Sequence, residues 1–184
     1  MISKIWGSIW EIVQFAAIVL VVVLPIRMYV AQPFIVSGAS MAPTFENGNY
    51  LIIDELTYNV IREPQKGEVI VFRYPLDPSK FFIKRIVGLP EETVEVRDNT
   101  VIIYNKQNPG GLILKEDYLD ASQQTLGNNR IRMDDDEYFM MGDNRLMSHD
   151  SRAFGPVKKT FITGRAMLRL YPLNRIGTIP RVSN

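Results

Sequence analysis

Phe81-Phe82-Ile83-Lys84-Arg85-Ile86-Val87-Gly88-Leu89-Pro90 sets aromatic and β-branched residues on either side of two adjacent cations, then stops on Gly-Leu-Pro. Successive side chains of a strand point to opposite faces, so this alternation predicts a strand with Lys84 on the face of Phe82 and Ile86, and Arg85 on the other. Similar runs lie on both sides: Phe34–Val36, Tyr50–Ile53, Val69–Tyr74, Thr93–Val96, Val101–Tyr104, Arg130–Met133, Tyr138–Met141 and Ile162–Leu170. Asn47-Gly48, Asp98-Asn99, Pro109-Gly110-Gly111 and Asn128-Asn129 separate them as turn formers, and the runs flanking Asp98-Asn99 read as a hairpin. Residues 105–129 are polar and weakly periodic and read as a loop-rich excursion. The fold class is mainly β.

The start of the chain differs. Residues 1–26 hold only two charged side chains, Lys4 and Glu11, and Phe15 to Ile26 contains no polar side chain. About 20 apolar residues in a helix cross the ~30 Å hydrocarbon core of a bilayer. Trp6 and Trp10 suit the interface, and Arg27 follows the run. A cleaved leader would place small residues where Arg27, Met28 and Tyr29 stand. A buried core helix would show a polar face, and Val19 to Leu24 shows none. The expectation is one uncleaved N-terminal transmembrane helix within residues 1–30, followed by a β-rich domain over 31–184 that includes the small subdomain at 105–129. Lys4 and the amino terminus, set against Arg27, give a weak positive-inside signal for a cytoplasmic N-terminus.

Composition narrows the chemistry. The 184 residues carry a net charge of +1 from 21 basic and 20 acidic side chains, with no cysteine and a single histidine, His149. Thiolate zinc, iron–sulfur clusters and cysteine nucleophiles are excluded, and the near-neutral balance speaks against a nucleic-acid partner. No metal or other cofactor is expected.

Three segments could carry chemistry, each with a plain structural reading beside the functional one. Ser40 sits in Ser37-Gly38-Ala39-Ser40-Met41-Ala42-Pro43-Thr44, a tight turn that could present its hydroxyl and aim its N–H at an oxyanion, or could be a turn and nothing more. Lys84, between large apolar neighbours, is desolvated in a way that favours the neutral amine a general base needs; alternatively it snorkels or pairs with a carboxylate. Gly142 to Gly155 packs Asp, Asn, Ser and Arg densely, as a solvated turn or as a network that orients catalytic groups, with Asp150 paired to Arg152. In an extended stretch His149 points away from Ser148 and Asp150, which makes it a bystander.

Together these segments resemble the bacterial type I signal peptidases, membrane-anchored serine proteases with a Ser–Lys dyad. The resemblance rests on Ser40-Met41-Ala42-Pro43-Thr44, Lys66-Gly67-Glu68-Val69-Ile70-Val71-Phe72, Ile83 to Pro90 and Gly142 to Gly155, in family order behind an apolar segment. It implies a signal-peptidase-like β-domain with Ser40 as nucleophile, Lys84 as general base and Ser148 as the serine that hydrogen-bonds and orients the lysine. Asp143, Asp150 and Arg152 match the supporting network. Phe34, Val36, Val71, Phe82 and Ile83 match the apolar pockets for small side chains before the cut. Gly38 stands where some relatives carry an oxyanion-binding serine, so the hole is expected to use the Ser40 N–H with Gly38 or a water. The implied activity is removal of signal peptides from secreted preproteins after a small-x-small motif. The implied setting is the cell membrane, single-pass, with the lipid bilayer as partner and the catalytic domain extracytoplasmic. Two other readings fit parts of the sequence: a membrane-tethered β-domain that binds peptides without catalysis, and a self-cleaving Ser–Lys peptidase.

Overall fold

A computed structural model describes residues 2–23, 31–120, 122–179 and 181–182. The first helix, α1 (Ile2–Ile18), runs into a π-helical turn, Val19–Val23. Among the described residues no helix is long and apolar enough to cross a membrane. From Trp10 to Val21 the large apolar side chains of this segment, Val19 excepted, are exposed. Residues 24–30, where the expected anchor would end, lie outside the described set.

Among the described residues the chain then builds twelve strands: β1 (Ala31–Ile35), β2 (Tyr50–Asp54), β3 (Val69–Tyr74), β4 (Asp77–Gly88), β5 (Thr93–Arg97), β6 (Thr100–Tyr104), β7 (Leu112–Ile113), β8 (Asn129–Arg132), β9 (Glu137–Met141), β10 (Val157–Lys158), β11 (Ile162–Tyr171) and β12 (Gly177–Thr178). A one-turn helix, α2 (Ser151–Phe154), lies between β9 and β10. The larger sheet has the order β1-β2-β11-β3-β4-β9-β10, with β12 added on β11, and the smaller has the order β7-β6-β5-β8. Every run singled out above contributes a strand, with ends moved by a few residues. The three strands the pattern missed, β7, β10 and β12, are each two residues long, too short to show a period. Strand β4 starts four residues before Phe81, because Asp77 pairs with Tyr74 across the β3–β4 turn, with Pro78-Ser79-Lys80 as a bulge before Phe81 resumes the ladder opposite Arg73. The Asp98-Asn99 hairpin is present: both residues have positive φ, 50° and 62°, between paired Arg97 and Thr100.

Period two explains the core. In β3, Val69 and Val71 enter one apolar cluster with Met41, Phe45, Leu51 and Ile53. Ile70 and Phe72 enter another with Tyr58, Ile86, Tyr138 and Met140. Strand β9 splits the same way, Tyr138 and Met140 going to that second cluster and Phe139 and Met141 to a third beneath the small sheet. A strand buried on both faces reads as a continuous apolar run, as these two do. Phe72 is fully buried, with its ring edge-on to Phe82 at 6.2 Å. Phe72→Ala is expected to cost about 3–5 kcal/mol, read from urea unfolding; a loss below about 1 kcal/mol would contradict this packing.

Candidate active site

Ser40 is half-buried, between exposed Ala39 and buried Met41. Met41 and Phe45 are buried in the cluster under β1–β3, which leaves Ser40 on the rim of the turn between β1 and β2. Four contacts hold that turn. The Asn144 N–H donates to Ser40 O at 3.0 Å, and Asn144 Nδ2 donates to Ala39 O at 3.1 Å. Thr44 Oγ1 donates to Asp143 Oδ2 at 2.5 Å, and Arg169 donates to Thr44 O at 2.6 Å. The stretch just after β9 therefore clamps the serine turn from a point about 100 residues further along the chain.

Lys84 comes from the middle of β4, where Ile70 of β3 is its paired residue. It is 4% exposed. Its Nζ lies 2.7 Å from Ser40 Oγ and 2.9 Å from Ile83 O, and 5.3 Å from the centre of the Phe82 ring. Burial pushes the ammonium down to about 8, against the opposing pull of Asp150 and then Asp143. The two carboxylates pull weakly because each is spoken for. Asp143 is fully buried and takes Arg85 Nε and Nη2 at 2.9 and 2.6 Å. Asp150 accepts Arg152 Nε and Nη2, both at 2.8 Å, and the Gly142 N–H at 3.0 Å. Burial alone would raise the Asp150 carboxyl; the Arg152 guanidinium outweighs it and holds the group below its ordinary value.

A cleft of about 510 Å³ runs past Ser40 and Lys84. Phe34, Val36, Gly38, Val71, Phe82 and Ile83 all line it, so the residues expected to contact substrate share one groove. The Phe34 and Phe81 rings meet edge to face at 5.5 Å between β1 and β4. Strand β1 pairs only with β2, and its other edge carries no strand among the described residues.

Two expectations need correction. The Gly38 N–H, offered above as an oxyanion donor, is given to Asn47 Oδ1 at 2.9 Å; the Ser40 N–H has no acceptor among the described residues. Ser148 makes no hydrogen bond to Lys84: its Oγ is shielded from solvent and has no partner in the described residues. It presses on Gly142, where an added Cβ would overlap Ser148 Oγ and come within 2.5 Å of Ser40 O. His149 pairs its Nε2 with Tyr74 OH at 3.1 Å beside Phe82 and Phe154, on the cleft wall and away from the serine–lysine contact.

Sequence reasoning missed part of the support. Arg145, almost fully buried, donates to Gly142 O at 3.1 Å and to Thr125 Oγ1 at 2.7 Å, and forms an ion pair with Glu116. Tyr118 lies under the Arg85 guanidinium at 4.2 Å. Glu116, Tyr118 and Thr125 belong to the excursion at 105–129, whose sequence carries no sign that it folds back on the site. Thr44, Asn144 and Arg145 were inside the quoted blocks and could have been found there.

The family description "Signal peptidase, peptidase S26" matches residues 9–171. The chain belongs to this family. "Probable signal peptidase I-1" of Synechocystis sp. is 36% identical over 95% of this chain and 88% of its own length. "Signal peptidase I" of Leptolyngbya laminosa is 32% identical over 94% and 85%, and that of Bacillus licheniformis 29% over 92% and 92%. A crystal structure of a signal peptidase I from Enterococcus faecalis is 32% identical over 58% of this chain and 99% of its own, with a TM-score of 0.49. As a member of the signal peptidase family the chain is a serine endopeptidase.

Proposed function

We propose that Ser40 and Lys84 carry out signal-peptide removal from secreted preproteins. The observation that carries the assignment is the 2.7 Å contact between Lys84 Nζ and Ser40 Oγ in a site that keeps the lysine 4% exposed. Neutral Lys84 takes the Ser40 proton as Oγ attacks the carbonyl of the last residue of a small-x-small sequence. The Ser40 N–H faces the developing oxyanion. Lys84 then hands the proton to the leaving amine and activates the water that frees the acyl-enzyme. A neutral amine has two N–H groups and one lone pair; the lone pair faces Ser40 Oγ and one N–H is held by Ile83 O at 2.9 Å. Asp143, Asp150 and Arg152 support the dyad without touching substrate.

The cleft supports an extended substrate laid along the free edge of β1, where main-chain groups wait for a partner strand. Phe34, Val36, Gly38, Val71, Phe82 and Ile83 are its contacts. The division into an anchor over 1–30 and a catalytic domain over 31–184 is part of the same reading. Helical residues from Ile2 to Val23, exposing Trp10, Ile12, Val13, Phe15, Ile18, Leu20 and Val21, support it, since their polar-free part from Phe15 onward needs an apolar surround. The enzyme then sits in the cell membrane with its domain outside the cytoplasm.

The test is cleavage of a preprotein with the cut mapped by mass spectrometry and kcat/KM followed across pH. Below about 8 Lys84 holds a proton and cannot accept another, so kcat/KM rises with pH through an acid limb near 8. A limb near 6 to 7, where histidine titrates, or cuts away from small-x-small junctions, would overturn the assignment.

A further inference from the structure

After β11 the chain turns through Leu173–Arg175 and returns as β12, which sets Gly177 opposite Arg169 and Thr178 opposite Leu168. The Ile179 N–H donates to Met167 O at 3.1 Å, the Arg181 guanidinium bonds the Gln65 side chain, and Val182 lies across Gly67. Gly67 has φ +83°, and a Cβ there would overlap the Val182 carbonyl oxygen and lie 2.9 Å from its carbon; only glycine lets the two backbones approach so closely. The Gly67 carbonyl in turn accepts Arg85 Nη1 at 2.8 Å. Val182 also borders the same small cleft as Tyr118, the ring beneath Arg85. One route from this segment, through Val182 and Gly67, thus reaches the buried Arg85 guanidinium.

We propose that the described residues of this segment, Gly177–Ile179 and Arg181–Val182, are a positioning element for the reaction: they fix Gly67 on Arg85, so that the Arg85–Asp143 pair holds the Ser40 turn against Lys84. The inference rests on the Ser40–Lys84 reading above. Arg85 is 2% exposed and its planar fork is fully engaged, Nη1 on Gly67 and Nε with Nη2 on Asp143. If Gly67 moves, a buried N–H loses its acceptor or the fork tilts. A tilt carries Asp143, then Thr44, then the turn that presents Ser40. Displacements of about 1 Å at a reacting group cost up to about 10²-fold in rate.

The test deletes residues 179–184, leaving β12 in place, and compares this enzyme with Arg85→Lys and with the two changes combined. Cleavage of a peptide with a small-x-small junction is followed for kcat, KM and pH dependence, alongside thermal melting. The truncated enzyme is expected to lose about tenfold in kcat with KM changed less than about twofold. Its acid limb should move to higher pH, because Asp143, less neutralised by Arg85, acts more strongly on Lys84. Arg85→Lys should reproduce both changes, and the combination should be no worse than Arg85→Lys alone. A truncated enzyme with wild-type kcat and limb overturns the proposal, whether or not it melts lower, and so do losses that multiply in the combination. Ser40→Ala in the same assay keeps the two ideas apart. If it still cleaves, the dyad reading fails; if it is dead while the truncated enzyme is normal, only the positioning proposal fails.

Discussion

Replacing Lys84 with methionine is expected to abolish cleavage and, at neutral pH, to raise the stability of the fold. The two effects have one cause. Burial lowers the lysine from 10.5 to about 8, so across that window the unfolded chain holds a proton that the folded chain has released, and stability rises with pH. Below about 8 both states are protonated and the folded protein carries the full cost of a buried cation, about 3 kcal/mol for a shift of this size. Methionine has similar length and no charge, and can fill the space beside Phe82 and Ile83. Activity should fall by about 10³-fold or more, with the loss in kcat. The stability gain should appear as a higher melting temperature at pH 7 that shrinks as the pH approaches 10. A variant that melts lower than wild type at neutral pH, or one that still cleaves, would remove Lys84 from the role assigned to it.

The second large effect concerns Asp143. Asp143→Ala leaves Arg85 buried without its carboxylate and Thr44 without an acceptor. Breaking a buried pair from one side costs about 3–5 kcal/mol, and here it also frees the Ser40 turn. Urea unfolding should show the full loss, and peptidase activity should be gone even at temperatures where the variant stays folded. Asp143→Asn keeps the shape and one acceptor oxygen, so it should fold better. Because the Asp143 charge holds Lys84 up, its removal should shift the acid limb of kcat/KM to lower pH. A limb that rises instead, or an alanine variant as stable as wild type, would show that the pair does not hold the site as described.

What the sequence disclosed and what it hid follow from the range of the interactions. Period two is local, and it located the strands that carry Val71, Lys84 and Met141 and the hairpin at Asp98-Asn99. The groove was legible only through the family resemblance, which implied Phe34, Val36, Phe82 and Ile83; strand alternation alone sets adjacent Phe82 and Ile83 on opposite faces. Contacts between distant segments leave no local trace. That Arg85 faces away from Lys84 was readable, but not that it meets Asp143, 58 positions on. Residues 105–129 look like a loop because most of them are one, yet Glu116, Tyr118 and Thr125 secure Arg145 and Arg85. Gly38 shows the limit from another side: its place beside the serine suggested an oxyanion donor, and a nearby asparagine, Asn47, had already taken its N–H.

If substrate lies along β1 as proposed, that strand's edge, which carries no strand among the described residues, would also govern when the enzyme can act. Such an edge recognises main chain in extended form, whatever side chains it bears. A junction still wound in a helix, or already folded into a mature domain, offers no free N–H and C=O groups to pair. Cleavage would thereby be tied to the interval in which the junction is unwound and not yet folded, so on this reading the strand would work as a clock on export as well as a wall of the cleft.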